Sequence, residues 1–243
     1  MKVAALYDVH GNLPALRAAL DEVRVEGVDV LVVGGDVFPG PLAEDCLALL
    51  ESYEKPVRYL RGNGENDLLA LRRGHMLQLP PAVLESLAWQ ADRLDEDTVT
   101  FLERWPETMT LAVSLGEVLF CHATPQSDRA LVTERTSVEH LRLLLEGVAA
   151  GIVVSGHTHM AFDRRVGRRR WINAGSVGMP FGTPGAHWLL LSDEATARRT
   201  SYDAAAAARE ILTSSDPHAR SFANSSVLSV PSAEEMLELF ETS

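Results

Sequence analysis

The sequence contains little cysteine and no long apolar segment. Two cysteines, Cys46 and Cys121, stand far apart in 243 residues and lack CxxC spacing. A secreted disulfide framework would need more cysteines, so we expect a reducing compartment, the cytoplasm. No apolar run reaches 18 residues, and the apolar start MKVAALY is too short for a signal-peptide core. These absences predict neither a membrane span nor a cleaved leader.

Positive charge is also scarce, because 22 Lys and Arg residues face 34 Asp and Glu residues, for a formal net charge of −12. Long-range repulsion therefore opposes strong binding to nucleic acid and to anionic membranes. A small anionic substrate drawn to a local cationic centre is still compatible with this charge.

Apolar runs alternate with helical periodicity in the first third of the chain. KVAALY, VDVLVVGG and VRYL read as buried strands, with amphipathic helices between them. This β-α-β-α-β order predicts a layered α/β fold with a parallel sheet. TMTLAVS and EVLFCHA read as a hairpin, and GIVVSG as a further buried strand.

Two regions of the chain have a helical pattern. The segment from about residue 75 to residue 106 has a helical pattern interrupted by proline, which predicts a small helical insertion. The segment from about residue 204 to residue 243 predicts a helical tail, with a flexible connection over residues 214–226. We expect residues 1–243 to form one domain. The acidic MLELF helix could pack on its own domain or on a neighbour, which leaves a homo-oligomer open.

Metal-competent side chains stand where the predicted strands end. Since ligands bind beyond the carboxyl ends of parallel strands, these side chains can meet at one sheet edge. Asp8 and His10 stand two residues apart, as do His157 and His159. The side chains of each pair can converge, because alternate side chains of an extended chain point the same way. Seven candidates exceed one tetrahedral site and suit two metals with a bridging carboxylate. They are Asp8, His10, Asp36, Asn63, His122, His157 and His159.

The ordered blocks DVH, GGD, GN, CHA and GHTH resemble the calcineurin-like metallophosphoesterases, from the first strand to about the NAGSVG segment at 173–178. The resemblance implies a four-layer α/β/β/α sandwich of mixed sheets with a helical insertion. It implies a phosphoesterase in which a water bridging two divalent metal ions attacks phosphorus. Manganese is the expected metal, with iron, zinc, cobalt or nickel also compatible with mixed imidazole, carboxylate and amide ligands.

The resemblance also implies individual roles. Asp8, His10 and His159 would hold one metal. Asn63, His122 and His157 would hold the other, and Asp36 would bridge the two. We expect Asp36, Asn63 and His122 to be catalytic.

One position departs from the family pattern. The family usually continues GNHD or GNHE, and its histidine is thought to protonate the leaving group. Here that position is Gly64, with Glu65 behind it. Loss of a general acid falls hardest on poor leaving groups, so we expect a phosphodiesterase. Glu65 or His75 could supply the proton instead. A phosphomonoesterase acting on proteins or nucleotides and a non-catalytic scaffold on the same fold are the alternatives.

Four residues are candidate contacts for a small phosphate ester or diester. Asn12 could touch a phosphate oxygen or cap the following helix, and Thr124 could line the pocket or begin a turn. Gly64 and Glu65 follow Asn63 and could approach the substrate from the same loop.

Overall fold

The N-terminal part of the chain forms the predicted β-α-β-α-β unit in a computed structural model that describes residues 1–242. Its elements are β1 (Val3–Leu6), α1 (Leu13–Glu26), β2 (Val30–Val33), α2 (Ala43–Glu51) and β3 (Val57–Tyr59). Both β1 and β3 pair parallel with β2. All four residues of β1 are buried, since the strand is covered on both faces.

Two antiparallel strands extend this first sheet. They are β9 (Ala186–Leu191), which pairs with β1, and β10 (Ala195–Thr200), which pairs with β9. The spatial order is therefore β10-β9-β1-β2-β3, and the sheet is mixed.

A second mixed sheet of five strands lies against the first. Its members are β4 (Thr108–Val113), β5 (Gly116–Cys121), β6 (Ile152–Ser155), β7 (Phe162–Val166) and β8 (Arg169–Asn173), with α6 (Val138–Leu144) preceding β6. The predicted β4–β5 hairpin is present, and β6 pairs parallel with both β5 and β8. The spatial order is β4-β5-β6-β8-β7.

Three apolar clusters divide the molecule into four layers. The first packs helices onto the outer face of the first sheet through residues such as Leu16 and Leu31. The second lies between the sheets and contains Ala5, Phe120 and Val154. The third packs Leu141 of α6 on the outer face of the second sheet. This confirms the α/β/β/α sandwich that the sequence predicts.

The region predicted as a helical insertion contains α4 (Pro81–Ala91) and α5 (Glu96–Glu103), and it follows α3 (Asn63–Arg72). Leu87 and Leu102 are buried in the same cluster as α1 and α2. The two helices therefore extend the outer helical layer.

The C-terminal tail is helical as predicted, apart from residue 243, which lies outside the described part. It contains α7 (Ala204–Ile211), α8 (Ala219–Phe222), a π-helical turn (Ala223–Leu228) and α9 (Ala233–Glu241). The predicted flexible connection over 214–226 is wrong, because much of it is helical and packs Ala219 and Ala223 with Ile211. Within residues 1–242, no helix combines the length and apolarity that crossing a membrane requires.

Candidate metal centre

The seven metal-competent side chains meet at one edge of the sandwich. Asp8, Asp36 and Asn63 follow β1, β2 and β3, while His122 follows β5 and the GHTH pair follows β6. Because β1–β3 and β5–β6 run parallel within their sheets, these strand ends can face a shared space.

Short distances connect the side chains on both sides of this space. His10 Nε2 lies 3.2 Å from His159 Nε2, and His159 Nε2 lies 3.4 Å from Asp8 Oδ1. Asp36 Oδ2 lies 3.6 Å from His10 Nε2 and 3.5 Å from His122 Nε2. Asp36 thus stands between two imidazoles, as a bridging carboxylate requires.

Asn63 and His157 complete the side of the space that contains His122. Asn63 Oδ1 lies 3.1 Å from His122 Nε2, and the His122 and His157 ring centroids lie 5.2 Å apart. Asn63 is the first residue of α3, so the helix start fixes its position.

Each of the four histidines hydrogen-bonds a backbone carbonyl through one ring nitrogen. A carbonyl only accepts, so that nitrogen carries the proton and the other nitrogen is the one available to a metal. The pairs are His10 Nδ1 with Pro39 O (3.1 Å), His122 Nδ1 with Gly34 O (2.9 Å), His157 Nε2 with Arg129 O (3.1 Å) and His159 Nδ1 with Met179 O (2.8 Å).

Asp8 supplies a buried oxygen that lacks a protein partner. Its Oδ2 accepts a hydrogen bond from the His157 backbone at 2.9 Å, whereas Oδ1 has no hydrogen-bond partner among residues 1–242. A buried carboxylate oxygen without a donor is costly, and a cation would satisfy it. The donor set therefore fits divalent metal ions.

Backbone strain is concentrated in the same residues. Within residues 1–242, the non-glycine residues with positive φ are Asp8, His10, Asp36, His157 and His159, with φ between 45° and 67°. Such conformations are unfavourable for side chains with a Cβ and cluster at functional sites. The strain supports a functional role for this sheet edge.

Burial and neighbouring charges control protonation in the centre. Burial and the nearby His159 lower the pKa of His10 to about 3, and burial and His122 lower the pKa of His157 to about 4. Burial opposes ionisation of Asp8, but the surrounding imidazoles hold its pKa below the usual range. Neutral imidazoles and an ionised carboxylate are the forms that ligate metals.

The pKa values of Asp36 and His122, in contrast, are both raised. Burial, with the nearby Glu65 and Asp8, raises the pKa of Asp36 to about 7. Burial lowers the pKa of His122, but Asp36 and Asp8 outweigh it and raise that pKa overall. The space therefore attracts positive charge, from protons or from metal ions.

Two triads of histidine and aspartate side chains have donor atoms close enough to share a metal ion. One consists of Asp8, His10 and His159, and the other of Asp8, Asp36 and His122, with donor atoms within 4.8 Å of one another in each. Each triad therefore has the geometry of a candidate metal site.

The close surroundings of Gly64 explain why a glycine follows Asn63. A Cβ added there would lie 2.0 Å from the Phe38 carbonyl oxygen and 3.0 Å from Asp36 Oδ1. The Gly64 N–H donates to Asp36 Oδ1 at 2.7 Å, so it is not available to a substrate. Any contact of Gly64 with a substrate, as the sequence predicts, would therefore not involve its N–H group.

Backbone N–H groups of the same chain occupy both oxygens of the Glu65 carboxylate. Its side chain is fully buried and accepts four backbone hydrogen bonds. The donors are the N–H groups of Asp36 (2.9 Å), Val37 (2.7 Å), Phe38 (3.0 Å) and Gly62 (2.8 Å). Glu65 therefore positions the segment that carries Asp36, and neither oxygen can protonate a leaving group.

Asn12 and Thr124 have structural roles in place of the predicted substrate contacts. Asn12 is fully buried, caps α1 by accepting from the Ala15 N–H, and donates to the Gly178 carbonyl. The Thr124 hydroxyl closes a turn with the Ser127 backbone. His75, the other candidate acid, is exposed in the segment after α3.

Two residues beside the centre were missed in the sequence. Phe181 stacks on the His159 ring, with centroids 5.0 Å apart, and the Arg129 carbonyl accepts from His157. Both lie in irregular segments, where neither strand nor helix periodicity marks a position. For Arg129, the one signal in the sequence was its position seven residues after His122, a predicted metal ligand.

Known proteins of similar sequence and structure fit this picture. An uncharacterized protein of Methanocaldococcus jannaschii is 21% identical over 194 residues, 73% of this chain and 76% of the relative. A hypothetical protein of Pyrococcus horikoshii OT3 aligns with a TM-score of 0.77 at 18% identity, covering 91% of this chain and 97% of that chain. A metallophosphoesterase from Sphaerobacter thermophilus aligns with a TM-score of 0.72 at 21% identity, covering 92% and 97%.

The sequence of the chain matches the model of one protein family over most of its length. The model of the calcineurin-like phosphoesterase superfamily domain matches residues 1–195, which include all seven metal-competent side chains and both sheets up to the end of β9. The chain therefore belongs to the calcineurin-like phosphoesterase superfamily.

Proposed function

We propose that this protein is a phosphodiesterase that uses two divalent metal ions, with manganese the expected metal and the cytoplasm the expected location. Gly64 carries the argument. A Cβ at this position would lie 2.0 Å from the Phe38 carbonyl oxygen, which leaves no room for a side chain, so position 64 provides no acid to protonate a leaving oxygen. An ester with a stable leaving group tolerates that loss best.

Asp8, His10 and His159 are proposed to hold one ion, Asn63, His122 and His157 the other, and Asp36 both. Bound there, the ions would lower the pKa of a water molecule and neutralise charge on the phosphate oxygens.

The protein fixes this arrangement through backbone contacts. Gly64 N–H holds Asp36 Oδ1, while the four carbonyls opposite the histidines fix each imidazole tautomer. In hydrolysis, water that has lost one proton to solvent adds to phosphorus as one P–O ester bond breaks, and the leaving oxygen departs with the bonding electron pair and is protonated by solvent. Ligands held before substrate arrives reduce the reorganisation that this step needs.

The test is turnover of two esters by metal-free protein reloaded with Mn²⁺. We expect clear Mn²⁺-dependent cleavage of bis-p-nitrophenyl phosphate and little cleavage of p-nitrophenyl phosphate. Asp36→Asn should abolish the activity, because both metal sites lose the shared carboxylate.

The other outcomes each favour an alternative. Preferred cleavage of the monoester would refute the diester assignment and favour a phosphomonoesterase with another proton donor. Absence of turnover on both esters, with two metals bound per chain, would favour a non-catalytic scaffold.

A further inference from the structure

The loop after β5 places Arg129 beside the candidate metal centre. A turn between Thr124 and Ser127 braces the loop, and Ser127 Oγ accepts from the Arg129 N–H at 3.1 Å. The Arg129 carbonyl accepts from His157 Nε2 at 3.1 Å. The backbone of Arg129 therefore lies in direct contact with a proposed metal ligand.

The Arg129 side chain extends toward the first turns of α3. Both terminal nitrogens bind the carboxylate of Asp67, with Nη1 3.1 Å from Oδ2. Asp67 is buried and stands four residues after Asn63, so the two side chains share one face of α3. The guanidinium is thus held on the Asn63 side of the centre.

A second carboxylate restrains the guanidinium further. Asp128 Oδ1 lies 3.7 Å from Arg129 Nε, and Asn66 Nδ2 donates to Asp128 Oδ2 at 2.8 Å. The hydrogen bond with Asp67 raises the pKa of Arg129, and the charge of Asp36 also contributes to the increase. The guanidinium is therefore a cation held in place by two carboxylates.

This cation is still accessible. The Arg129 side chain is 45% exposed although it has two carboxylate partners, whereas that of Asp67 is 5% exposed. A guanidinium has five N–H donors, and Asp67 takes only two of them. The remaining donors can bind an anionic oxygen at low entropic cost, because the fork is already oriented.

Hydrolysis of a diester creates negative charge on the leaving oxygen. Neither Gly64 nor the buried Glu65 can protonate that oxygen. We propose that Arg129 is a specificity-determining residue whose guanidinium binds the leaving oxygen of the diester and neutralises its developing charge. This rests on the proposed phosphodiesterase function and assigns a further residue to the same site.

The test compares methyl p-nitrophenyl phosphate with methyl phenyl phosphate, whose phenolate is the poorer leaving group. Arg129→Ala should lower kcat about a hundredfold for the second ester, as loss of one oxyanion donor does, and only about tenfold for the first, whose better leaving group depends less on the donor. Arg129→Lys should restore part of the kcat for both esters. Metal content should not change, because alanine keeps the carbonyl that accepts from His157.

Arg17→Ala is the matched control. Arg17 forms the same two-pronged pair, with Glu210 at 3.0 and 3.2 Å, and is 49% exposed on α1. This variant should retain wild-type kcat on both esters.

Three results would contradict the proposal. An unchanged kcat in Arg129→Ala, an equal loss on both esters, or a change in KM alone would each exclude a role at the leaving oxygen. In those cases the active wild-type protein would leave the phosphodiesterase assignment intact. A metal-loaded wild-type protein that cleaves neither ester would overturn both.

Discussion

Gly64 lies so close to another backbone segment that a side chain at this position would collide with it. A methyl group there would meet the Phe38 carbonyl at 2.0 Å, and the backbone of either segment would have to move. We expect Gly64→Ala to lower the free energy of unfolding by about 1–3 kcal/mol, as overpacking does. Urea unfolding of the metal-free protein measures the change.

Gly151→Ala is the control for this substitution. A Cβ at Gly151 meets no atom within 4 Å, so we expect a change within about 0.5 kcal/mol. Equal stability of the Gly64 and Gly151 variants would show that the Phe38 segment yields easily, and the steric argument against a side chain at position 64 would fail.

Glu65 stabilises the centre from behind through its four backbone hydrogen bonds. Glu65→Gln keeps the size but directs an NH₂ group at two N–H donors. We expect the free energy of unfolding to fall by about 2–3 kcal/mol, because buried bonds to a charged group are lost. Metal affinity should fall about 10- to 100-fold, since the Asp36 segment loses support.

Calorimetric metal titration and urea unfolding test Glu65→Gln together. The matched control is Glu235→Gln, because Glu235 accepts from Ser232 at the exposed start of α9. That variant should bind metal like the wild type. Unchanged metal affinity in Glu65→Gln would mean that the Asp36 segment is held by other contacts.

Helix α9 docks on its own chain, which answers one question that the MLELF pattern left open. Leu237 is buried, and Arg135 pairs with Glu234 and Glu241 at the two ends of the helix. We expect Leu237→Ala to lower the free energy of unfolding by about 2–3 kcal/mol, as burial of a leucine implies.

Leu239→Ala is the control on the same helix. Leu239 is 54% exposed, so we expect a change within about 0.5 kcal/mol. Thermal unfolding of both variants at equal protein concentration measures the difference. Equal melting temperatures would show that α9 adds little to the stability of the fold.

The loops after the strands give the centre its geometry. Asp8, Asp36 and the GHTH histidines adopt positive φ directly after β1, β2 and β6, where the chain leaves the sheet. Regular strands cannot direct side chains in this way, because their side chains alternate between the two faces. The sheet thus sets where the ligands stand, and the strained loops set where they point.

The whole molecule is acidic, and this affects how an anionic diester reaches the centre. With a formal net charge of −12, long-range repulsion should slow its approach. Salt shortens the screening length from about 30 Å at 0.01 M to about 8 Å at 0.15 M. We therefore expect kcat/KM for bis-p-nitrophenyl phosphate to rise over this range of sodium chloride.

Initial rates at substrate concentrations far below KM measure this effect, with Mn²⁺ kept saturating. A steep fall of kcat/KM with salt would contradict the expectation. It would mean that the local positive charge of the metals and Arg129 dominates the approach of the substrate.

The order of strands and the positions of the polar residues were readable because they depend on local patterns. Apolar runs such as VDVLVVGG identify buried strands, and Asp36 directly follows that run. Since parallel strands present their carboxyl ends at one edge, convergence of the side chains within each sheet followed from connectivity, whereas the packing of the two sheets brought both edges together. The β4–β5 hairpin and the helical tail were predicted from periodicity in the same way.

Contacts between distant segments decided the rest. Gly64 meets Phe38, Glu65 meets the N–H groups after β2, and Arg129 in the loop after β5 reaches Asp67 on α3. Such contacts depend on how the loops turn and how the layers pack, which the periodicity of a single segment does not encode. For that reason the sequence identified the metal-competent residues, while Glu65, Asn12, Thr124 and Arg129 acquired their roles only once the layers came together.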